Sequence, residues 1–167
     1  MTRPSVEWED RSSHDLIAVP PPGELADLMA SVLEAEGASG SASAGLHLVD
    51  EAEITELNET HLGGEGATDV LSFSIDGVDP AAAAADGDEV TQLVGDVLVC
   101  PAVAARQAPS HAGSMADECR LLVVHGSLHL AGWDHGDPRE RDGMWNRERE
   151  LMERFGVTPA LDPWIQS

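Results

Sequence analysis

The sequence predicts an α/β (α+β) fold, a small mixed β-sheet packed with several helices, in a single layered domain covering 1–167. Three observations predict it. Helix-like and strand-like apolar patterns interleave along the chain instead of segregating. Several connections between strand-like segments are too long for hairpins and carry a helical pattern of their own. The length, 167 residues, lies inside the ~100–200 of one domain and is enough to hide roughly two thirds of the unfolded surface without staples.

Each element follows in chain order. Val6–Glu9 reads as a short first strand. Pro20-Pro21-Pro22-Gly23 is a breaker, and Leu25, Leu28, Met29, Val32 and Leu33 then recur at helical spacing, which predicts a helix from Glu24 to Glu36. Gly37 to Gly45, rich in Ser, Ala and Gly, reads as a loop. Leu46, Leu48 and Val49 form a strand pattern. Asp50 with Glu53 resembles a capping box opening a short helix that carries Ile54 and Leu57. Gly63, Gly64 and Gly66 mark a loop, and Thr68–Ile75 is strand-like. Gly77 to Glu89, with Ala81–Ala85 inside it, reads as a long loop. Leu93–Cys100 is a further strand, and Pro101 at a first helical position starts another helix. Ser114 with Asp117 opens a helix reaching Ala131, where Gly132 supplies a left-handed cap. Asp137-Pro138-Arg139-Glu140 combines an N-cap, a proline and a glutamate at the start of a last helix, which runs to Phe155 and stops at Gly156.

Composition narrows the function. No apolar run approaches the ~20 residues that span a bilayer, and Met1 to Asp10 has no apolar signal core. A cytoplasmic protein without membrane contact is expected. Cys100 and Cys119 form no CxxC pair and read as small buried hydrophobes in a reducing compartment. The formal net charge is −22. Taken alone, that charge opposes loose association with polyanions.

The segment with chemical content is His125-Gly126-Ser127-Leu128-His129-Leu130-Ala131-Gly132-Trp133-Asp134-His135. His125 and His129, four apart on a helix, share one face a turn apart. Gly132 accepts the positive φ of a sharp reversal, which can bring His135 back as a third ligand. Three neutral histidines suit one Zn²⁺ with a fourth position left for water, the open pattern of a catalytic site. The spacing equals that of the long zinc motif of metzincin proteases. The glutamate that serves those enzymes as general base is replaced here by Gly126, which argues against a zinc peptidase. His14, His47, His61 and His111 lack such company and read as surface or loop residues, with His61 and His111 as possible neighbours of the cleft.

With these residues in hand, the sequence resembles the YbeY family of bacterial single-strand-specific metallo-endoribonucleases. The family's H-G-x-L-H-L-x-G-y-D-H block is matched from His125 to His135, with Trp133 at the usual tyrosine. Its T-[DN]-V-L-S-F block is Thr68-Asp69-Val70-Leu71-Ser72-Phe73, and its G-D-[IV]-x-[IV] block is Gly95-Asp96-Val97-Leu98-Val99. The resemblance implies one zinc ion on His125, His129 and His135, processing of rRNA including the 3′ end of 16S rRNA, and a part in ribosome quality control. It implies rRNA and the small ribosomal subunit as partners, with ribosome-assembly proteins beside them. Where many members carry an aromatic-Arg pair, this chain has His61 and Leu62, and a leucine cannot neutralise a phosphate.

The expected catalyst is the zinc-bound water. Asp134 either orients a ligand histidine from behind or caps the turn. Asp69 faces the cleft or ends a strand, and Ser72 and Phe73 shape the cleft wall or the core. Arg139, Arg141, Arg147, Arg149 and Arg154 alternate with Asp137, Glu140, Asp142, Glu148, Glu150 and Glu153, which reads as a solvated helix face with local ion pairs. Met144, Trp145, Leu151, Met152 and Phe155 supply its buried side. Aromatic residues make up only 4%, too few for a stacking platform, so weak affinity for free RNA is expected. The competing readings are a non-catalytic, zinc-stabilised ribosome-assembly factor and a zinc peptidase.

Overall fold

The computed structural model describes residues 3–13, 19–78 and 92–164. His14 and most of the loop expected at Gly77 to Glu89 lie outside them. Four strands form one mixed sheet: β1 (Ser5–Asp10), β2 (Ser43–Leu48), β3 (Val70–Ser74) and β4 (Leu93–Val99). Their order is β1-β2-β4-β3. β1, β2 and β4 run parallel, and β3 is antiparallel to β4. Among the described residues there are five α-helices, and the first two, lying between strands, supply the crossovers that parallel pairing demands. The five are α1 (Pro22–Ala35), α2 (Glu51–His61), α3 (Pro101–Gln107) with a 3₁₀ turn at Ala108–Ser110, α4 (Met115–Leu130) and α5 (Pro138–Arg154).

Strand alternation explains the layering. Val97 and Val99 point into a core shared with Leu25, Met29 and Leu33 of α1 and with Cys119, Leu122 and Val123 of α4. Leu98, between them, faces the opposite side and meets Val49, Ile54 and Leu71 beneath α2. A third cluster joins Leu121, Val124 and Leu128 of α4 to Met144, Leu151 and Met152 of α5. α4 is therefore covered by the sheet, α1 and α5 at once, and ten of its sixteen residues are buried. An apolar pattern on more than one side is what such a central helix needs. Both cysteines are free and buried, and burial raises both thiols, Cys119 to about 12. Among the described residues, no helix is long and apolar enough to cross a membrane.

Some boundaries move. α1 begins at Pro22, not Glu24, because proline at the first turn loses no intrahelical bond. β2 begins at Ser43, inside the expected loop, because Ala44 and Gly45 pair with β1 on one side and β4 on the other. Pairing on both edges overrides weak local strand propensity. The caps at Ser114 and Asp137 form, accepting from Asp117 N at 3.2 Å and Glu140 N at 2.8 Å. The capping box at Asp50 does not form. Asp50 Oδ1 accepts instead from Ser13 N at 2.8 Å, while Glu53 accepts from Arg11 Nη2 at 2.6 Å. Distant donors have captured both members of the local motif.

Candidate metal centre

α4 presents His125 and His129 one turn apart, with ring centroids 4.6 Å from each other. The helix then closes with a left-handed residue, Gly132, at φ 102°. Gly132 N donates to His129 O and Trp133 N to Leu128 O, each at 3.0 Å, which is a Schellman closure. The chain reverses and returns His135, whose ring lies 5.3 Å from His125 and 4.9 Å from His129. One nitrogen from each ring falls within 4.8 Å of the others. Among the described residues no other group of His, Cys, Asp and Glu converges in this way.

Hydrogen bonds behind the rings settle the tautomers. His129 Nδ1 lies 2.9 Å from the Trp133 carbonyl oxygen, which can only accept, so Nδ1 carries the proton. His125 Nδ1 lies 2.5 Å from Glu148 Oε1, again an acceptor. Both Nε2 atoms are then left with lone pairs, and they face each other at 3.1 Å. Two lone pairs at that distance repel unless a cation sits beside them. Burial first, then the neighbouring histidines' charges, holds His129 below the usual histidine pKa, so a proton is a poor choice of cation. A divalent metal suits the site: three imidazole donors, two with their outer nitrogens already fixed.

Glu148 was expected on a solvated face. It is 2% exposed, and its second oxygen accepts from Trp164 Nε1 at 2.9 Å. The sequence carries a signal for this burial. Glu148 lies four residues after Met144 and four before Met152, in the middle of the apolar stripe of α5. Arg147 also turns inward: Nη2 donates to Glu36 Oε2 at 2.6 Å, and Glu36 Oε1 accepts from Trp133 Nε1. Glu36, at the end of α1, thus holds the indole of the reversal that carries His135.

The histidines line an open groove of about 830 Å³ together with Leu62, Asp69, Ser72, Asp134, Arg141 and Trp145. Asp134 Oδ1 accepts from the His135 amide at 2.8 Å, so it caps the turn beside the ligand face. Ser72 lines the groove and donates to Gly126 O at 2.9 Å, fixing β3 to α4. At Gly126 an added Cβ would stand 2.8 Å from Val97 Cγ1 and 3.1 Å from Ser72 Oγ. The tight helix–sheet approach leaves no room for a glutamate at that position. Asp69 also lines the groove, and its Oδ2 accepts from Gln107 Nε2 at 2.7 Å. The same amide donates to Glu118 Oε2 at 2.8 Å, and this fully buried carboxylate accepts from Ala112 N and lies 2.8 Å from His111 Nδ1. His47, on β2, sits between Glu9 and Asp96 at 2.8 and 3.0 Å and is not part of the groove lining. His61 meets Phe73 edge-on.

The family model described as Endoribonuclease YbeY matches residues 19–156. The chain is 44% identical to "Endoribonuclease YbeY" of Salinispora tropica over 130 residues, covering 75% of this chain and 82% of that one. It is 39% identical to the Corynebacterium glutamicum protein of the same name over 147 residues, with coverage of 83% and 75%. For the Thermobifida fusca protein of that name, identity is 40% and coverage 77% and 81%. The fold is similar to the solution structure of TM1509 from Thermotoga maritima, with a TM-score of 0.52, 24% identity, and coverage of 98% of this chain and 99% of that one.

Proposed function

The chain belongs to the endoribonuclease YbeY family, and from that premise we propose that it is a zinc-dependent, single-strand-specific endoribonuclease. Its work is maturation of the 16S rRNA 3′ end and ribosome quality control, in the cytoplasm, as one domain covering 1–167. The observation that carries the reading is the pair of lone-pair Nε2 atoms facing each other inside a three-histidine cluster on an open groove. His125, His129 and His135 hold the ion. A zinc ion there supplies Lewis acidity toward water and phosphoryl oxygen.

The chain's own residues do the rest. Glu148 and the Trp133 carbonyl keep the two helix histidines in the ligating tautomer and stop their rings from turning. Asp134 fixes the backbone from which His135 projects. Asp69 and Ser72 line the same groove, each tied by a hydrogen bond that holds its side chain in place. A charge of −22 repels free RNA at long range, so the small subunit and its assembly proteins deliver the strand.

The test is cleavage of a single-stranded RNA spanning the 16S 3′ end, with metal content measured on the same samples. Wild type should cut, and His129→Ala should lose both zinc and cutting. Zinc-loaded wild type that leaves the RNA intact, alone and with small subunits, would overturn the nuclease reading in favour of the non-catalytic assembly factor.

A further inference from the structure

A groove that takes a phosphodiester needs a positive group close by, and on a chain of net charge −22 that group must be local. Nearly all the arginines are spoken for elsewhere. Arg147 is tied to Glu36 and Glu150, Arg120 to Glu24 and Asp117, Arg11 to Glu53, Arg3 to Asp27 and Arg106 to Glu51. Arg149 and Arg154 lie over Trp164 and Phe155, and Arg139 lines a neighbouring hollow with Glu140. Arg141 is the arginine in the histidine groove. Leu62, on the same lining, brings no charge.

Arg141 is held against a ring as Arg149 is, but inside the histidine groove. Its guanidinium carbon lies 5.0 Å from the centroid of the Trp145 ring. Its Nε is shut off from solvent and has no hydrogen-bond partner among the described residues. Among the described residues its ion pair is with the adjacent Asp142 at 3.4 Å, and that carboxylate is 65% exposed. With Nε covered, the outer Nη edge of the fork is what this partly exposed side chain offers an acceptor. The planar fork matches a phosphate's oxygens, and the indole holds it flat beforehand.

We propose that Arg141 is the phosphate-binding residue of the groove and that Trp145 positions it. The assignment rests on the ribonuclease reading. It places the cation on α5, one turn after the helix start at Pro138, facing a groove whose other walls are neutral or acidic.

The experiment is steady-state cleavage of a labelled single-stranded RNA oligonucleotide by zinc-loaded wild type, Arg141→Ala, Arg141→Lys, Trp145→Leu and Arg3→Ala. Zinc content and circular dichroism establish that each variant is folded. Arg141→Ala should raise KM roughly tenfold with kcat little changed, the low end of what a charge-assisted bond is worth. The salt dependence of its log(1/KM) should flatten by about 0.7, one phosphate contact on a single strand. Arg141→Lys should recover the salt slope but only part of KM, because lysine keeps the charge and loses the fork. Trp145→Leu should raise KM with the slope intact. Arg3→Ala, which removes the same charge far from the groove, should match wild type. If Arg141→Ala keeps the wild-type KM and slope, or changes them no more than Arg3→Ala does, the assignment falls while the nuclease reading stands. If wild type cuts the strand only with small subunits present, the same series is run on that substrate and the same comparison decides the assignment; if wild type cuts in neither setting, the nuclease reading and the assignment fall together.

Discussion

A carboxylate in the middle of a helix's apolar stripe is expensive unless donors meet it, and Glu148 is met on both oxygens, by His125 and by Trp164. Its value lies in what it does to His125. A ring whose outer nitrogen is pinned by a carboxylate is a more basic and better-aimed ligand than a free one. Glu148→Gln keeps the shape and removes the charge, so zinc affinity should drop by about 10–100-fold, read by competition with a chelating dye. Affinity equal to wild type would show that the carboxylate only fills space. His129 adds a pH consequence. Its folded pKa lies below the ordinary 6.5, burial being the main cause. The unfolded chain therefore takes up a proton first as pH falls, which draws the equilibrium away from the fold. The metal-free protein should be at full strength above pH 6.5 as far as this group is concerned, and should lose stability as pH drops through the lowered value. His129→Gln should blunt that loss in urea titrations run between pH 7 and 5. An unchanged pH slope would assign the effect to other groups.

At the scale of elements, α4 is where sequence and packing agree most closely. Its two histidines, its Ser114 cap and its Gly132 reversal are all encoded within a few residues of each other, so a local reading finds them. The same holds for the Asp137 cap of α5. What the sequence hides is long-range. His125 meets Glu148 across 23 positions, Trp133 meets Glu36 across 97, and Arg147 meets Glu36 across 111. The failed box at Asp50 has the same origin, since Ser13, 37 residues away, supplies a donor that propensity rules cannot see. Gly126 belongs to both classes. As a motif residue it is visible, but its reason is contact: a Cβ there would crowd Val97 and Ser72. Gly126→Ala should therefore destabilise by about 1–3 kcal/mol in denaturant unfolding despite alanine's better helix propensity. A stabilised Gly126→Ala protein would mean that α4 and β4 can part without cost.

For the whole molecule the governing quantity is charge: 31 acidic residues against nine arginines. Most ion pairs here have at least one exposed partner and are worth little, whereas repulsion among the surplus acids acts over the entire surface. Salt screens both, but the repulsion is the larger sum, so monovalent salt should raise Tm. The metal site works against the same background. The proposed zinc would bring two positive charges to one end of α4, bind the folded cluster and find no preformed site in the unfolded chain. At a free concentration about a hundredfold above Kd, the gain is about 2.7 kcal/mol, or roughly 5–10 °C for a chain of this size. Chelation should remove it, and the loss should shrink to nothing in His129→Ala while the salt response persists. These two responses separate the readings physically. A salt effect without a zinc effect would mean that the three histidines converge by packing alone. A zinc effect that survives His129→Ala would place the ion somewhere other than the groove, and the proposed catalytic centre would have to be abandoned.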